Sequence, residues 1–319
     1  MKRRLTLIVA LIVLIGLTGC GGNRPEAIRL PMGFVANVQF APIYVAVEKG
    51  YFAEEGIELG FDYSWETDGV RLVGAAELPF AIASGDQVLL AREQGLPVLT
   101  VVNWWRRFPV SVIALEENGI AAPTDLAGQR VGIPETFGAS YIGWRALASE
   151  VGLSEGDVTL DVIGYTQLAN LTEGRVDAAV VYANNEPVQL QQMGRDFVEF
   201  PVADHASLVS NGLITNEETI RENPELVRAF IRAFVRGIEE TLADPDGAFE
   251  ICGKYVDGLE ENEASQRAVL EASLAYWRGE PIGFSDPAAW QETAEVMRQA
   301  DLLSGPVEVG QAFSNEYLP

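Results

Sequence analysis

Histidine and cysteine are almost missing from this chain: His205 is the only histidine, and Cys20 and Cys252 are the only cysteines. Metal sites built from several imidazoles or thiolates are therefore excluded, and so is a disulfide framework. A Ser-His-Asp triad would have to use His205, and no G-x-S-x-G elbow occurs. Positive charge is scarce too. Lys and Arg number 22 against 46 Asp and Glu, a net charge of −24. So acidic a surface argues against nucleic acid and anionic headgroups as partners. No repeat of solenoid period and no low-complexity block is visible, and no apolar run after the first twenty residues is long enough to span a membrane.

The N-terminus carries a leader, "MKRRLTLIVALIVLIGLTGC". Lys2, Arg3 and Arg4 form its charged start, and the apolar run Leu5 to Leu17 is broken only by Thr6 and Gly16. That run is shorter than the ~20 residues of a spanning helix. Leu17-Thr18-Gly19-Cys20 resembles the bacterial lipobox, in which the cysteine thiol is lipidated and becomes the new N-terminus. The expectation is a signal over residues 1–19, a lipidated tether over 20–27, and a protein held through Cys20 on the extracytoplasmic face of the cell membrane. The alternative is an ordinary signal peptide with a cysteine placed by chance.

Beyond the tether, apolar runs alternate with helical patterns, the signature of an α/β protein with largely parallel strands. Strands are expected at "AIRLPMG", "ELGFDY", "LPFAIA" and "PVLTVVNWW". Helices are expected at "PIYVAVEKG", with Pro42 in its first turn and Gly50 after its end, near "DGVRLVGAA", and at "GDQVLLAREQG". Ser84 and Gln87 have the spacing of a capping box for the last of these. The pattern restarts near Ala122 and runs to Pro201, and the tail from Glu217 is mainly helical. Leu226, Phe230, Ile231 and Phe234 recur at helical period, and Asp286-Pro287 marks another helix start. One α/β unit is thus inserted into another. The expected lobes are 28–115 with 208–319 (outer) and 116–207 (inner), with crossings near Ile113–Gly119 and His205–Asn211. Two lobes joined twice leave a cleft that can close on a ligand.

"APIYVAVEKGYFAEEGIEL", "LPFAIASGDQVLLAREQGLPV", "TDLAGQRVGIP", "LTEGRVDAAVVYANNEPVQL" and "NPELVRAFIRAFVRGIEETL" resemble the solute-binding proteins of bacterial ABC importers. More narrowly, they are similar to the group that binds thiamine pyrimidine precursors and related compounds, and "NNEPVQL" resembles the binding proteins of riboflavin importers. The resemblance implies a type II periplasmic-binding-protein fold, each lobe a mixed, mostly parallel sheet flanked by helices. It also implies a membrane permease as partner, a small planar ligand, and no cofactor. The family has an enzymatic branch, the fungal-type pyrimidine synthases, which use iron, pyridoxal phosphate, a cysteine-rich motif and active-site histidines. This chain has one histidine, no such motif, and an export signal.

Ligands in α/β sheets sit beyond the C-terminal ends of strands, where helices begin. Four segments occupy such positions. In "MGFVANVQFAP", Asn37 and Gln39 can donate and accept, and Phe34 and Phe40 can stack or belong to the core. In "ASGDQ", Ser84 and the N–H groups of Gly85 and Asp86 can bind a carbonyl or phosphate oxygen at a helix start, or Ser84 can simply cap its own helix. In "NWWRRF", adjacent tryptophans on a strand would face opposite ways; Trp104 is expected at the cleft, while Arg106 and Arg107 read as solvated charges. In the inner lobe, "PETFGASYIGW" supplies Thr136, Ser140 and Tyr141, and Tyr165 follows "DVIG". "VVYANNEP" supplies Tyr182, Asn184, Asn185 and Glu186, whose donors and acceptors suit the edge of an imide or pyrimidine ring. The same asparagines and glutamate could instead cap the following helix. Riboflavin is the first expected ligand, a thiamine pyrimidine precursor the second, and an alkanesulfonate or nitrate the third. The rivals are a secreted enzyme with Glu135 or Glu186 as general base, and a surface sensor domain.

Overall fold

The structure, a computed structural model, describes residues 27–319, so the leader, Cys20 and most of the tether lie outside the described residues. The outer lobe opens with β1 (Ile28–Gly33), α1 (Ala41–Glu48), α2 (Tyr51–Glu54), β2 (Leu59–Trp65), α3 (Glu66–Gly74), β3 (Ala81–Ser84), α4 (Gly85–Glu93) and β4 (Val98–Val102). The inner lobe comprises β5 (Val110–Leu115), β6 (Arg130–Ile133), α5 (Gly138–Glu150), β7 (Thr159–Val162), α6 (Gln167–Thr172), β8 (Ala178–Tyr182), α7 (Glu186–Gln192) and β9 (Phe197–Pro201). The chain then returns through β10 (Asn211–Asn216) to a helical tail of α8 (Glu217–Glu222), α9 (Pro224–Ala243), α10 (Pro245–Cys252), α11 (Glu263–Trp277) and α12 (Pro287–Gln299).

Strand pairing separates the lobes. In the outer lobe β1 pairs parallel with β2, and β10 lies between β3 and β4. In the inner lobe the order is β7-β6-β8-β5-β9. Among the described residues, every antiparallel pairing between named strands involves β5 or β10, the strands adjoining the two crossings, so the sheets are mixed. The expected boundary needs one correction. β5 was assigned to the end of the outer lobe, but Val110 lies opposite Tyr182 and Ser111 opposite Pro201, which makes it an inner-lobe strand. A fully buried apolar run such as "VSVIAL" can sit in the middle of either sheet, and its local pattern does not say which. The first crossing therefore falls between β4 and β5, ahead of Ile113–Gly119.

The local signals explain the helix ends that frame the cleft. α1 has Pro42 in its first turn, and Gly50 follows it at φ +81°, a conformation that suits glycine. The carboxylate of Asp286 accepts the Ala288 N–H at 2.9 Å to cap α12. α9 turns Val227, Phe230, Ile231, Phe234 and Ile238 inward, while outside it Arg232 forms a two-pronged pair with Glu55 at 2.7 and 2.9 Å.

Two larger cores result. One fills the outer lobe around Leu30, Tyr44, Phe230, Phe234 and Trp277. The other is shared between lobes: Val88 and Leu89 of α4, Ile142 and Leu147 of α5, and Trp290 and Met297 of α12 belong to one buried cluster. The lobes are thus joined by an apolar seam as well as by two crossings. α9 also presses closely on α1, since a Cβ added at Gly237 would stand 2.1 Å from the Pro42 carbonyl oxygen. Gly237→Ala is expected to destabilise the protein by about 1–3 kcal/mol through overpacking, seen as a lower urea midpoint with an unchanged slope. An unchanged midpoint would mean that this contact relaxes freely.

Candidate functional site

The cleft between the lobes encloses about 240 Å³. From the outer lobe, the turn after β1 enters it first. The Asn37 side-chain oxygen accepts the Gln39 N–H at 2.9 Å and so holds a single 3-10 turn, which brings Gln39 and Phe40 to the cleft wall. Phe40 packs against Trp104 with ring centroids 6.0 Å apart. Trp105 meets the inner-lobe Tyr182 edge to face at 5.9 Å. The Tyr182 hydroxyl donates to Asn211 Oδ1 at 2.9 Å, a hydrogen bond between β8 and β10 that ties the lobes at the back of the cleft.

Glu186 sits in the first turn of α7 and is almost buried. Its carboxylate accepts the Tyr182 N–H at 3.2 Å and the Asn185 side-chain amide at 3.1 Å, while Gln189 holds the Asn185 oxygen at 3.0 Å. Burial pushes the Glu186 carboxyl up to about 7, against which these donors act only partly. At the mouth, Phe34 stands edge-on to Tyr165 at 4.7 Å, and Trp65 stacks on Tyr165 at 5.8 Å. Phe34 and Trp65 are outer-lobe residues and Tyr165 is inner, so the mouth is closed by aromatic contact across the lobes.

A group of carboxyls completes the wall. Glu66, at the start of α3, accepts both the Ser84 N–H and the Ser84 hydroxyl at 2.5 Å. Burial, followed by the nearby Asp86 carboxylate, raises Glu66 well above the usual range. Behind the lining, Asp86 is buried, is likewise raised by desolvation, and accepts a hydrogen bond from the Gln87 side chain at 2.9 Å. Glu135 is pushed up to about 7, chiefly by desolvation, and the Tyr165 hydroxyl lies 3.4 Å from both its oxygens.

Of the residues expected from sequence, Gln39, Phe40, Trp104, Ser140, Tyr165, Tyr182, Asn185 and Glu186 line the cleft together. The others lie elsewhere. Asn37 positions the turn behind Gln39. Ser84 is fully buried and engaged with Glu66, so neither self-capping nor the capping box forms; Gln87 turns to Asp86 instead. Gly85 is packed away, because a Cβ there would stand 2.6 Å from Val209. Thr136 is exposed outside the lining. Tyr141 packs on the shared core with the Arg145 guanidinium over its ring. Asn184 is wholly buried and donates to Ser273 at 2.8 Å, tying its loop to α11.

Among the lining residues that the sequence does not single out are the polar or aromatic Glu66, Trp105, Gln167 and Asn211. The rule that neighbours on a strand face opposite ways puts Trp104 at the cleft and Trp105 away from it. β4 ends at Val102, so that rule does not reach Trp104 and Trp105, and both line the cleft. Glu66 follows a strand at a helix start, the same placement that singled out the other segments, and could have been found by it. Gln167 and Asn211 carry no comparable local signal.

The chain matches the family described as NMT1/THI5 like over residues 37–248. It is 44% identical to the riboflavin-binding protein RibY of Chloroflexus aurantiacus over 303 residues, 92% of this chain and 86% of that protein. It is 29% identical to the formylaminopyrimidine-binding protein of Halalkalibacterium halodurans, over 97% of this chain and 98% of that one. A 4-amino-5-hydroxymethyl-2-methylpyrimidine phosphate synthase of Legionella pneumophila matches at 24% identity, over 92% of each chain. Among solved structures, the periplasmic aliphatic sulphonate binding protein SsuA of Escherichia coli superposes with a TM-score of 0.74 at 13% identity, covering 90% of this chain and 97% of that one. The shared fold is that of the periplasmic binding proteins.

The raised carboxyls set the pH response of the empty protein. A carboxyl whose folded pKa lies above its unfolded value binds its proton more tightly when folded. Its contribution is complete below the unfolded pKa and disappears as pH rises through the folded one. For Glu186 that window runs from 4.5 to about 7 and represents roughly 3 kcal/mol. Thermal unfolding at pH 5.5, 7.0 and 8.5 is expected to give a falling midpoint, and Glu186→Gln to flatten part of the slope. A midpoint that rises with pH would show that these groups do not govern it.

Proposed function

The chain belongs to the NMT1/THI5-like family, and on that premise we propose that it is the extracytoplasmic substrate-binding protein of an ABC importer, taking riboflavin in the interlobe cleft and handing it intact to a membrane permease. The observation that carries this reading is the chemistry of the lining. Aromatic rings from both lobes, Phe40, Trp104, Trp105 and Tyr182, share the cleft with the amides of Gln39, Gln167, Asn185 and Asn211. A flat heteroaromatic ring fits such a wall. Its faces meet aromatic side chains at roughly 0.5–1.5 kcal/mol per pair beyond burial, and its imide edge meets donors and acceptors. A few such contacts reach sub-micromolar affinity, about −8 kcal/mol. The high identity to a riboflavin-binding protein over nearly the whole chain favours riboflavin over the smaller pyrimidines.

A thiamine pyrimidine precursor is the second reading, favoured by the full-length match to the formylaminopyrimidine-binding protein. An enzyme using Glu135 or Glu186 as general base is the third, since both carboxyls are pushed up to about 7. The Leu17-Thr18-Gly19-Cys20 motif supports lipid attachment at Cys20 and a place on the outer surface of the cell membrane. Closure of the lobes over the ring would create the surface that the permease recognises.

Titration of the lipid-free protein (residues 21–319) with riboflavin, followed by quenching of flavin fluorescence, is expected to give a sub-micromolar Kd and full recovery of unaltered flavin. Tyr182→Ala and Glu186→Ala should each weaken binding at least about tenfold. Binding of formylaminopyrimidine but not riboflavin would transfer the function to the second reading, and turnover would transfer it to the third. Separately, Cys20→Ser in the full chain should move the protein from the membrane to the soluble fraction; retention at the membrane would refute the lipid anchor.

A further inference from the structure

Several helices begin around the cleft, and at two of them, α4 of the outer lobe and α5 of the inner, carboxyls of the protein gather. A helix start, with its free N–H groups and positive dipole end, is a natural seat for an anion. Here both seats are taken by the protein itself. At α4, Glu66 accepts the N–H and the hydroxyl of Ser84, each at 2.5 Å. At α5, the buried Asp86 carboxyl of the outer lobe lies close enough to the Gly138 backbone, the first residue of the helix, to be favoured by it. A Cβ added at Gly138 would stand 3.8 Å from Glu66 Oε2 and 3.9 Å from Glu135 Oε1, so three carboxyl groups from two lobes gather around this one helix start. Nothing cationic offsets them: no Lys, Arg or His is among the residues lining the cleft. Beside Trp105, Arg106 turns to the Phe284 carbonyl and Arg107 pairs with Asp204 at 2.9 Å. Among the described residues, no group of three or more His, Cys, Asp or Glu side chains could hold a metal ion that would reverse the sign.

We propose that the cleft rejects phosphorylated forms of its ring ligand, with Glu66 and Asp86 as the specificity-determining residues, so that a ligand arriving as a phosphate ester enters only after an extracytoplasmic phosphomonoester hydrolysis. This deepens the function proposed above and rests on its ring-shaped cargo. A phosphate monoester carries nearly two negative charges at neutral pH. Inside the cleft it meets the carboxyls of Glu66, Glu135 and Glu186, and at the start of α5 it must come between Glu66 and Glu135, with Asp86 buried behind them. The supplying reaction is the attack of water on phosphorus with cleavage of the P–O ester bond. The departing alkoxide takes up a proton, and the products are the neutral alcohol and inorganic phosphate.

The test compares riboflavin with riboflavin 5′-phosphate by flavin fluorescence at pH 7.5 and fixed ionic strength, in the wild type and in Glu66→Gln/Asp86→Asn. The wild type is expected to prefer the unphosphorylated flavin by about a hundredfold or more, and the double variant to narrow that ratio to about tenfold or less. Equal affinity in the wild type overturns the proposal. An unchanged ratio in the folded double variant also overturns it, because exclusion would then be steric. If circular dichroism shows the double variant unfolded, the two single variants take its place. If the wild type binds neither flavin, the riboflavin reading fails, and calorimetric titration with inorganic phosphate and methanesulfonate decides the exclusion on its own. Saturable binding to the wild type, or to neither protein, overturns it; binding gained only by the variant supports it.

Discussion

The chain passes between its lobes twice, and each passage adjoins a strand that is paired on both edges. β5 is held between β8 and β9, and β10 between β3 and β4. Strands hydrogen-bonded on both sides cannot slip without breaking two ladders at once. The cleft is therefore confined to the space between two rigid anchors, and the residues next to those anchors become its walls. Trp104 and Trp105 stand in the first passage, Tyr182 ends β8, and Asn211 begins β10. The Tyr182–Asn211 hydrogen bond joins the lobes at this line, and the apolar seam of α4, α5 and α12 joins them beside it.

Polar groups in the cleft are arranged at a cost to the empty protein. Glu66, Asp86, Glu135 and Glu186 are all raised by desolvation, and none has a cationic partner among the lining residues. The lowered carboxyls lie outside, where Glu55 meets Arg232 and Glu240 meets Lys49. Desolvated carboxyls without a cationic partner are poor structural elements but versatile ligand contacts, because each can donate when protonated and accept when not. A concentration of them at the closing surface of two lobes is expected of a site selected for recognition. The same family contains synthases, and a common fold with different chemistry is the usual consequence of sites being carried by a few side chains on a shared frame.

The mouth and the floor of the cleft differ in kind. At the floor, rings are buried and fixed by packing: Trp104 touches Phe40, Trp105, Phe234 and Trp277. At the mouth, Trp65 and Tyr165 remain about half exposed while stacked on one another. Exposed aromatic contact across lobes is weak enough to open and large enough to exclude water when closed. That division suits a site that holds a small ligand and opens to release it.

Much of this was written in the linear order of residues. The alternation of apolar runs and helical patterns determined an α/β chain with one unit inserted in another. Pro42, Gly50 and Asp286-Pro287 marked helix ends, because capping and backbone preferences act within a few residues. Segments lying after strands pointed to Gln39, Ser140, Tyr182 and Glu186. Tertiary structure alone decided which sheet received β5, since a run buried on both faces carries no directional pattern. It alone decided that both tryptophans face the cleft, that Asn184 and Ser84 are consumed by internal hydrogen bonds, and that Glu66 and Glu135 converge on the start of α5. Those outcomes depend on partners 18 to 89 residues distant or in the other lobe, and a separation of that kind leaves no trace in local composition.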